Sequence, residues 1–576
     1  MNRNDGQIDF SPDSTNHYRA GWLIYGTALL MLLFMLGRNA LTGGEGDLAW
    51  GLQMAKSGRD LFGIDFTGSA PLKWFCRLWA LPANLFGTSE WFCRLPSAIA
   101  ALLMLDGTMR IAKRFFNLRT SCTAGWLLLG SFGFLHWGRH SSMYMMCCAV
   151  LIWCAVLLCE NEFTFTRYYS FFLLSTFGFC VWGFYFILPW LGIWVLKNKF
   201  SFKSGSMKIF SALFSALVTG LWILFLLTIS AEGTLRAAFS NLFSGIADVM
   251  IHSFCNTIFP GKMWSLYPES LLNLPRMLLP WSLLSAVAIT GMLIRFKEQN
   301  PQTRKLIITT AVIFLLTGIF PSRRWQFQLC QLPFFILLTA GSIAGECGKS
   351  KYNQIIGIIT GWIFSIIGAL AAGLVITWPL WEILFRISPP LLLMTGVPFA
   401  GLLSIAFLVF DTGSQSAVEK KSGMRGSWSG YILAGVCLAA AFYSLSIPAM
   451  SAFRSEQKFW SKCGSAGINL PKENIIFYRE SPNSAARYYM SLAQGFTETL
   501  DDEQFLQHLG VLSPGETILI LQKSDLDTLR KLLTGTPWRL ASTEPVIAEG
   551  EKVRLFSSGK TSEKEFLAFK LTDGQP

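Results

Sequence analysis

Charged residues are scarce in this sequence. Only 14% of its 576 residues are Asp, Glu, Lys or Arg, whereas a typical soluble protein carries about 25%. Hydrophobic residues make up 52% of the chain, and its mean hydropathy is +0.43. Apolar runs of roughly 17–25 residues, the length of a membrane-spanning helix, recur along it. The composition therefore excludes an ordinary soluble protein and predicts a polytopic α-helical membrane protein.

Metal and disulfide signatures are also missing. The 13 cysteines include no Cys-x-x-Cys pair, and most lie inside apolar runs, as Cys147 and Cys154 do. This pattern supports neither a zinc ribbon nor a disulfide framework. No cofactor is expected, and metal dependence is not indicated, because no cluster of ligand residues is visible. Met1–Arg19 lacks the form of a cleaved signal peptide, so the first apolar run is expected to remain as a membrane helix.

Thirteen apolar segments are predicted to cross the membrane. They fall near residues 20–37, 91–111, 119–137, 143–159, 168–182, 184–197, 208–229, 276–294, 306–320, 326–345, 355–378, 388–410 and 430–448. The fifth and sixth are short and close together, and one broken helix would also explain them. An odd number of spans puts the two ends of the chain on opposite sides of the membrane.

Basic residues orient these spans. Most of the net charge of +13 lies in short loops, and nearly every basic cluster falls on one side if residues 1–19 are cytoplasmic. This positive-inside pattern supports that orientation and gives no sign of a nucleic-acid partner. It places the membrane module at residues 20–450, with two long outer loops at 38–90 and 230–275. The C-terminal segment, 451–576, is then periplasmic or extracellular.

The C-terminal segment has a different composition. Asn474–Tyr478 (NIIFY) and Thr517–Leu521 (TILIL) have the pattern of buried strands. Ser484–Leu492 and Asp525–Leu533 are predicted to be helices. Alternating strands and helices predict a small α/β domain with a partly parallel sheet. No clustered titratable groups are visible in it, so it is expected to serve acceptor access or stability rather than chemistry.

The first long outer loop is too charged to span a membrane but is rich in Trp, Leu and Phe at helical spacing. Such a pattern predicts helices that lie along the bilayer surface, near residues 48–57 and 74–84. Two carboxylates, Glu45 and Asp47, open the loop directly after the first membrane helix.

Four stretches of the chain carry a family resemblance. They are GEGDLAWGLQMAKSG at 44–58, PLKWF with LFGTSEWFCRLPSAIAALL at 71–103, LLPWSLL at 278–284 and PSRRWQFQLCQLPFFILLTAG at 321–341. In kind and order they resemble motifs of the GT-C membrane glycosyltransferases, in particular the branch of the protein O-mannosyltransferases and the lipid A aminoarabinose transferase. The resemblance implies a GT-C fold and transfer of a sugar from a polyprenyl phosphate to a glycolipid, glycan or protein acceptor.

In that family a carboxylate acts as base on the acceptor. The family has an adjacent Asp-Glu pair, whereas Gly46 here separates Glu45 from Asp47. Alignment through the following helix puts Glu45 on the second acidic position and Gly44 on the first, so either carboxylate remains a candidate. A helix N-cap is the alternative role for Asp47. Tyr144 stands where the family usually has an Asp, which is a second departure.

Cations of the family stabilise the departing phosphate. The candidates here are Lys73, Arg139, Arg323 and Arg324. Lys73 follows Pro71, whereas the family has Lys just before its Pro, and an interfacial anchor is its alternative role. The two adjacent arginines break the positive-inside trend in a short outer turn, which favours a donor-phosphate role over lipid contact.

Further polar and aromatic residues are expected to line the same cavity. They are His140, Tyr144, His252, Lys262 and Trp325. For His252 and Lys262 an ordinary polar loop is the favoured interpretation. Two other functions remain open for the whole chain. One is a non-catalytic family member that binds a lipid-linked sugar, and the other is a transporter, against which the outer-face position of the charges argues.

Overall fold

The computed structural model describes part of the chain. The described residues are 12–34, 36, 46–56, 70–159, 165–182, 184–196, 273–318, 325–343, 432, 435–436, 439, 474–479, 495–499, 501–509, 517–534, 536–540, 547–549 and 566–573. The predicted spans near 208–229, 355–378 and 388–410 lie outside them. The total of thirteen spans therefore stays a prediction.

The elements of the membrane module that the structure describes are helices and short 3₁₀ turns. Its helices are α1 (Pro12–Leu33), α2 (Gly46–Lys56), α3 (Ala70–Phe86), α4 (Glu90–Phe115), α5 (Leu118–Leu129), α6 (Phe132–Gly138), α7 (Met143–Cys159), α8 (Phe165–Trp182), α9 (Phe184–Ile193), α10 (Ser282–Ile294), α11 (Pro301–Gly318) and α12 (Leu332–Ile343). Short 3₁₀ turns follow α9 and α10, and a longer one, Trp325–Gln331, precedes α12. Helices α2 and α3 confirm that the loop predicted to carry interfacial helices is helical at both places.

Within the described residues, α4 alone is long and apolar enough to cross a membrane as a single helix. Its 26 residues correspond to roughly 39 Å at 1.5 Å per residue, more than the hydrocarbon thickness. Taken together, α6 and α7 are also long and apolar enough to cross a membrane, but they are bent by 117° at the turn between them.

The third predicted span, 119–137, is broken in the structure. Helix α5 ends at Leu129 and α6 begins at Phe132. Trp281 fills the break, because its Nε1 donates to the Leu127 carbonyl at 2.8 Å, and the carbonyl of Leu279 accepts the Phe132 amide at 2.7 Å. The backbone groups freed by the break are thereby paired with the LLPWSLL motif.

Gly130 makes this close approach possible. A Cβ atom at Gly130 would lie 2.8 Å from the Trp281 ring, and one at Gly435 would lie 2.1 Å from it. Trp281 is almost completely buried. Two glycines therefore form the slot into which the motif's tryptophan fits.

The C-terminal segment forms a mixed six-stranded sheet. Its elements are β1 (Asn474–Tyr478), β2 (Gly495–Thr499), α13 (Asp502–Leu509), β3 (Thr517–Gln522), α14 (Leu526–Leu533), β4 (Trp538–Leu540), β5 (Ile547–Glu549) and β6 (Phe566–Asp573). Strands β2, β1 and β3 are parallel, and β6 runs antiparallel to β3 and pairs with β4 and β5. The strands NIIFY and TILIL, the helix after TILIL and the partly parallel sheet are confirmed. Ser484–Leu492 lies outside the described residues.

Burial explains why the sequence alone predicted strands β1 and β3. Ile475 to Tyr478 are all buried, as are Thr517 to Leu521. Strands covered on both faces need a continuous apolar run rather than alternation. The sheet core includes Tyr478, Phe505 and Phe569.

The expectation that this segment has no clustered titratable groups is wrong. Arg479 forms a two-pronged ion pair with Asp502, with contacts of 2.9 and 2.7 Å, and lies 3.9 Å from Asp525. The Tyr478 hydroxyl donates to the same Asp502 carboxylate at 2.7 Å. These residues follow the ends of β1, β2 and β3, so parallel pairing brings them together.

The chain divides into two compact units. One comprises Met1–Leu36, Thr67–Trp74 and Arg94–Ser446, and the other comprises Gly37–Phe66, Phe75–Cys93 and Ile447–Pro576.

Candidate active site

Two buried arginines hold the C-terminal end of α1. Arg94 Nη1 donates to the Leu36 carbonyl at 2.9 Å, and Arg139 Nη2 donates to the Phe34 carbonyl at 2.9 Å. Arg139 Nη1 also donates to the Met31 carbonyl. The last carbonyls of a helix lack partners within it and carry partial negative charge. Arg139 therefore caps α1, and Arg94 holds the chain three residues beyond the end of α1, just before the loop that contains the acidic residues.

The Arg-Leu-Pro-Ser sequence on α4 acts through its first and last residues. Ser97, three residues after Arg94, exchanges two hydrogen bonds with Ser142. Its hydroxyl donates to the Ser142 carbonyl at 2.7 Å and accepts from the Ser142 amide at 3.0 Å. Residues three apart share a helix face, so one face of α4 holds both the end of α1 and the turn before α7.

Arg139 and His140 lie in the turn between α6, which ends at Gly138, and α7. The Arg139 amide donates to Leu135, and α7 begins at Met143. Arg139 is 6% exposed. The side chain predicted to meet a phosphate thus has a second task inside the protein, which the sequence alone did not reveal.

His140 is half-buried and stacks on a histidine that sequence reasoning missed. The His136 and His140 rings lie 5.2 Å apart at 23°, and Trp137 stands edge-on to both at 5.1 Å. The four-residue spacing of the two histidines in the sequence could have indicated this pair. Tyr144 follows in the first turn of α7, and its amide donates to the Ser142 hydroxyl at 3.2 Å.

Asp47 lies in the first turn of α2, which begins at Gly46. Negative charge at this position is stabilised by the helix dipole. Leu48, Ala49 and Trp50 after it are buried, and the Cys76 thiol on α3 contacts the Leu48 carbonyl at 3.8 Å. The acidic loop therefore leads into a packed helix. Glu45 itself lies outside the described residues.

Lys73 lies in the first turn of α3, two residues after Pro71. Proline is tolerated in a first turn because the amide there has no helical partner. Farther along α3, Trp79 stacks on Phe92 at 5.2 Å and its Nε1 donates to the Phe92 carbonyl at 3.4 Å. That carbonyl is available because Pro96, four residues later, has no amide hydrogen.

The structure describes the motif at residues 321–341 only from Trp325 onward. Arg323, Arg324, His252 and Lys262 lie outside the described residues, and Trp325 is the first residue of the 3₁₀ turn. The turn and α12 are fixed to the helices before them. The side-chain amide of Gln331 donates through Nε2 to the Thr317 hydroxyl, and the Thr339 hydroxyl donates to Ser285 Oγ at 2.9 Å. Convergence of these arginines with the acidic residues stays a prediction.

Comparison with known proteins points to one fold. No protein-family model matches the sequence, and no curated protein matches it significantly. Among solved structures, ArnT from Cupriavidus metallidurans bound to undecaprenyl phosphate is 14% identical with a TM-score of 0.58, and the match covers 95% of this chain and 98% of that one. The same enzyme in the apo state is 13% identical with a TM-score of 0.57, over 96% and 98% of the two chains.

A weaker match is the archaeal oligosaccharyltransferase AglB from Archaeoglobus fulgidus, in complex with an inhibitory peptide and a dolichol-phosphate. It is 8% identical with a TM-score of 0.42, over 90% of this chain and 70% of that one. The ArnT matches extend over nearly the full length of both proteins. The chain therefore has the GT-C fold of the membrane glycosyltransferases that its four motifs resemble.

Proposed function

We propose that this protein is a membrane glycosyltransferase that moves a sugar from a polyprenyl phosphate to a lipid, glycan or protein acceptor at the outer face of the inner membrane. One observation carries the proposal. The fold matches, over 95% of the chain, a structure that holds undecaprenyl phosphate. Fold by itself does not determine chemistry, so the residues of the motifs must supply the rest.

The acidic residues at the start of α2 are assigned the role of base. The helix dipole stabilises negative charge at Asp47, and the ionised carboxylate is the form that accepts a proton from an acceptor hydroxyl. Asp47 is preferred over Glu45 for this position. The packing of Leu48 and Trp50 supports the assignment, because a base must be held steadily within reach of the acceptor.

Departure of the polyprenyl phosphate is assigned to cations. Arg323 and Arg324 are the principal candidates, since a guanidinium group matches phosphate geometry with two parallel hydrogen bonds. Lys73 adds a further charge. Arg139 already donates to two carbonyls of α1, so its proposed part is to contribute positive charge while it fixes that helix. The absence of a metal requirement stays a prediction.

A non-catalytic lipid-binding protein is the second candidate. Tyr144 favours it, because a tyrosine stands on α7 where the family usually has an acidic residue. Both candidates bind a polyprenyl phosphate, but only the first releases a product.

Mass spectrometry of lipid that co-purifies with the detergent-solubilised protein tests the proposal. Wild-type protein should retain a polyprenyl phosphate or its glycosylated form. The Arg323→Gln/Arg324→Gln variant should retain much less, whereas the matched Arg295→Gln/Lys297→Gln variant, changed at the end of α10, should retain as much as wild type. Retention of phospholipid alone by the wild-type protein would contradict the proposal. A bound polyprenyl phosphate with no transfer in membranes would favour the second candidate.

A further inference from the structure

A charged pair lies within the long apolar helix α4. Arg110 Nε donates to the Asp106 carboxylate at 2.8 Å, and the Tyr25 hydroxyl of α1 donates to the other carboxylate oxygen at 2.6 Å. Ionisable side chains in a membrane segment are costly and usually have a functional reason. The Asp106 side chain is 23% exposed, whereas that of Arg110 is 58% exposed. The carboxylate is therefore the enclosed member of the pair, and the guanidinium group faces outward.

Arg110 is fixed from two directions. Its guanidinium carbon lies 5.2 Å from the centre of the Trp153 ring on α7. Trp153 is itself held by a hydrogen bond from its Nε1 to the Leu103 carbonyl at 3.0 Å. The bond to Asp106 uses Nε, which leaves the two Nη groups at the outer end of the side chain. A guanidinium group held in this way needs little ordering to receive two oxygen atoms.

Two more cations extend the same face. Lys113 and Arg114 lie three and four residues after Arg110, in the last turn of α4, and both are exposed. Residues at these spacings are neighbours on a helix surface, about 5–6 Å apart. Arg110 precedes the end of the helix by five residues, or roughly 7.5 Å along its axis. Three cations therefore line the boundary of the membrane segment, at the depth where a long side chain reaches lipid headgroups.

This cluster lies far from the residues that cap α1. Sixteen residues separate Arg110 from Arg94 on the same helix, which is roughly 24 Å at 1.5 Å per residue. In the orientation predicted from the basic loops, the cluster is at the inner leaflet, whereas the donor is proposed to bind at the outer one. A ligand bound at this cluster would therefore differ from the sugar donor.

We propose that Arg110, Lys113 and Arg114 bind the phosphate of an anionic phospholipid in the inner leaflet. Charge complementarity identifies the class of lipid, because a zwitterionic headgroup offers no net negative charge to three cations. The positive-inside rule alone explains basic residues at this end of α4, but it requires no fixed geometry. The Asp106 and Trp153 contacts hold the exposed Arg110 side chain from two directions, and this fixed geometry points to recognition of a particular group.

Native mass spectrometry of the full-length protein in a neutral detergent tests this site. The protein is titrated with phosphatidylglycerol or with phosphatidylcholine of the same acyl chains. Each basic residue near the surface adds about five-fold to anionic lipid binding, so Lys113→Gln/Arg114→Gln should lower phosphatidylglycerol affinity by about 25-fold. Its phosphatidylcholine affinity should not change. The matched Arg295→Gln/Lys297→Gln variant should bind both lipids as wild type does.

Arg110 needs a different design, because its removal leaves Asp106 as a lone charge and can unfold the protein. Asp106→Asn/Arg110→Gln removes both charges, and Arg110→Lys keeps the charge without the fork. Both variants should bind phosphatidylglycerol more weakly than wild type, because neither keeps the two-pronged guanidinium donor of Arg110. Equal binding of the two lipids by the wild-type protein would overturn the proposal. So would a loss under ten-fold in Lys113→Gln/Arg114→Gln, or an equal loss in the matched variant.

Discussion

Arg94 Nη1 donates to the carbonyl oxygen of Leu36 at 2.9 Å, although the two residues are 58 positions apart in the sequence. The contact joins the Arg-Leu-Pro-Ser sequence to the end of α1, where the acidic loop begins. Arg94, which belongs to one of the four stretches that resemble the family, thus has a structural role. It pairs a carbonyl group three residues beyond the end of α1, and Arg94 itself is only 2% exposed there.

Substitution of Arg94 should destabilise the protein. Arg94→Gln leaves the Leu36 carbonyl without its charged donor, and loss of a buried partner costs about 1–3 kcal/mol. Thermal unfolding in detergent should therefore shift to lower temperature. Arg119→Gln removes an exposed arginine at the start of α5 and should change the midpoint little. Equal midpoints for Arg94→Gln and wild type would show that the contact has no energetic role.

Gly130 and Gly291 form a matched pair for testing the Trp281 slot. Gly130→Ala places a methyl group about where the Trp281 ring lies, whereas a Cβ at Gly291 meets nothing within 4 Å. Overpacking costs about 1–3 kcal/mol, so Gly130→Ala should lower the unfolding midpoint. Gly291→Ala, in α10, should be neutral or stabilising by up to about 1 kcal/mol. The same thermal assay measures both variants. A Gly130→Ala protein as stable as Gly291→Ala would show that Trp281 does not pack tightly against Gly130.

Low pH should weaken the contacts of Asp502 with the end of β1 and so destabilise the C-terminal sheet. The hydrogen bond from Tyr478, followed by that from Arg479, lowers the pKa of the Asp502 carboxyl group below its usual value. A carboxyl group with a lowered pKa adds stability above its unfolded pKa, about 3.9, and loses that contribution as pH falls through the folded pKa. Because Asp502 is 36% exposed, solvent screening limits its contribution to about 1 kcal/mol or less.

Hydrogen exchange of the β1 and α13 peptides in the full-length protein checks this prediction. Asp502→Asn should speed exchange at pH 7, and its difference from wild type should shrink as the pH approaches 3. Asp527→Asn, at an exposed acid in the first turn of α14, is the control. A difference that stays constant down to pH 3 would mean that ionisation of Asp502 contributes nothing.

The sequence predicted features that depend on composition and local pattern. Charged residues beside aromatic ones marked the helices α2 and α3, and uninterrupted apolar runs marked β1 and β3. Four motifs in order predicted the fold that the ArnT comparison supports. These signals are local, or they are short strings whose order along the chain is itself visible.

Features that depend on distant contacts escaped prediction. The break after Leu129 arises from Trp281, whose partner Leu127 is 154 positions away, so the segment 119–137 looked continuous. Arg479, Asp502 and Asp525 meet only because three parallel strands end at one edge of the sheet. Burial of Arg139 against α1 was equally invisible, since a basic residue beside a membrane helix usually faces lipid headgroups.

Sugar transfer by the Glu45→Gln/Asp47→Asn variant, measured beside donor binding, tests the central claim most directly. We expect the variant to bind the polyprenyl-phosphate sugar as wild type does and to transfer it at least about 100-fold more slowly, the loss expected when a positioned catalytic group is removed. Transfer at the wild-type rate by this double variant would show that neither carboxylate is the base.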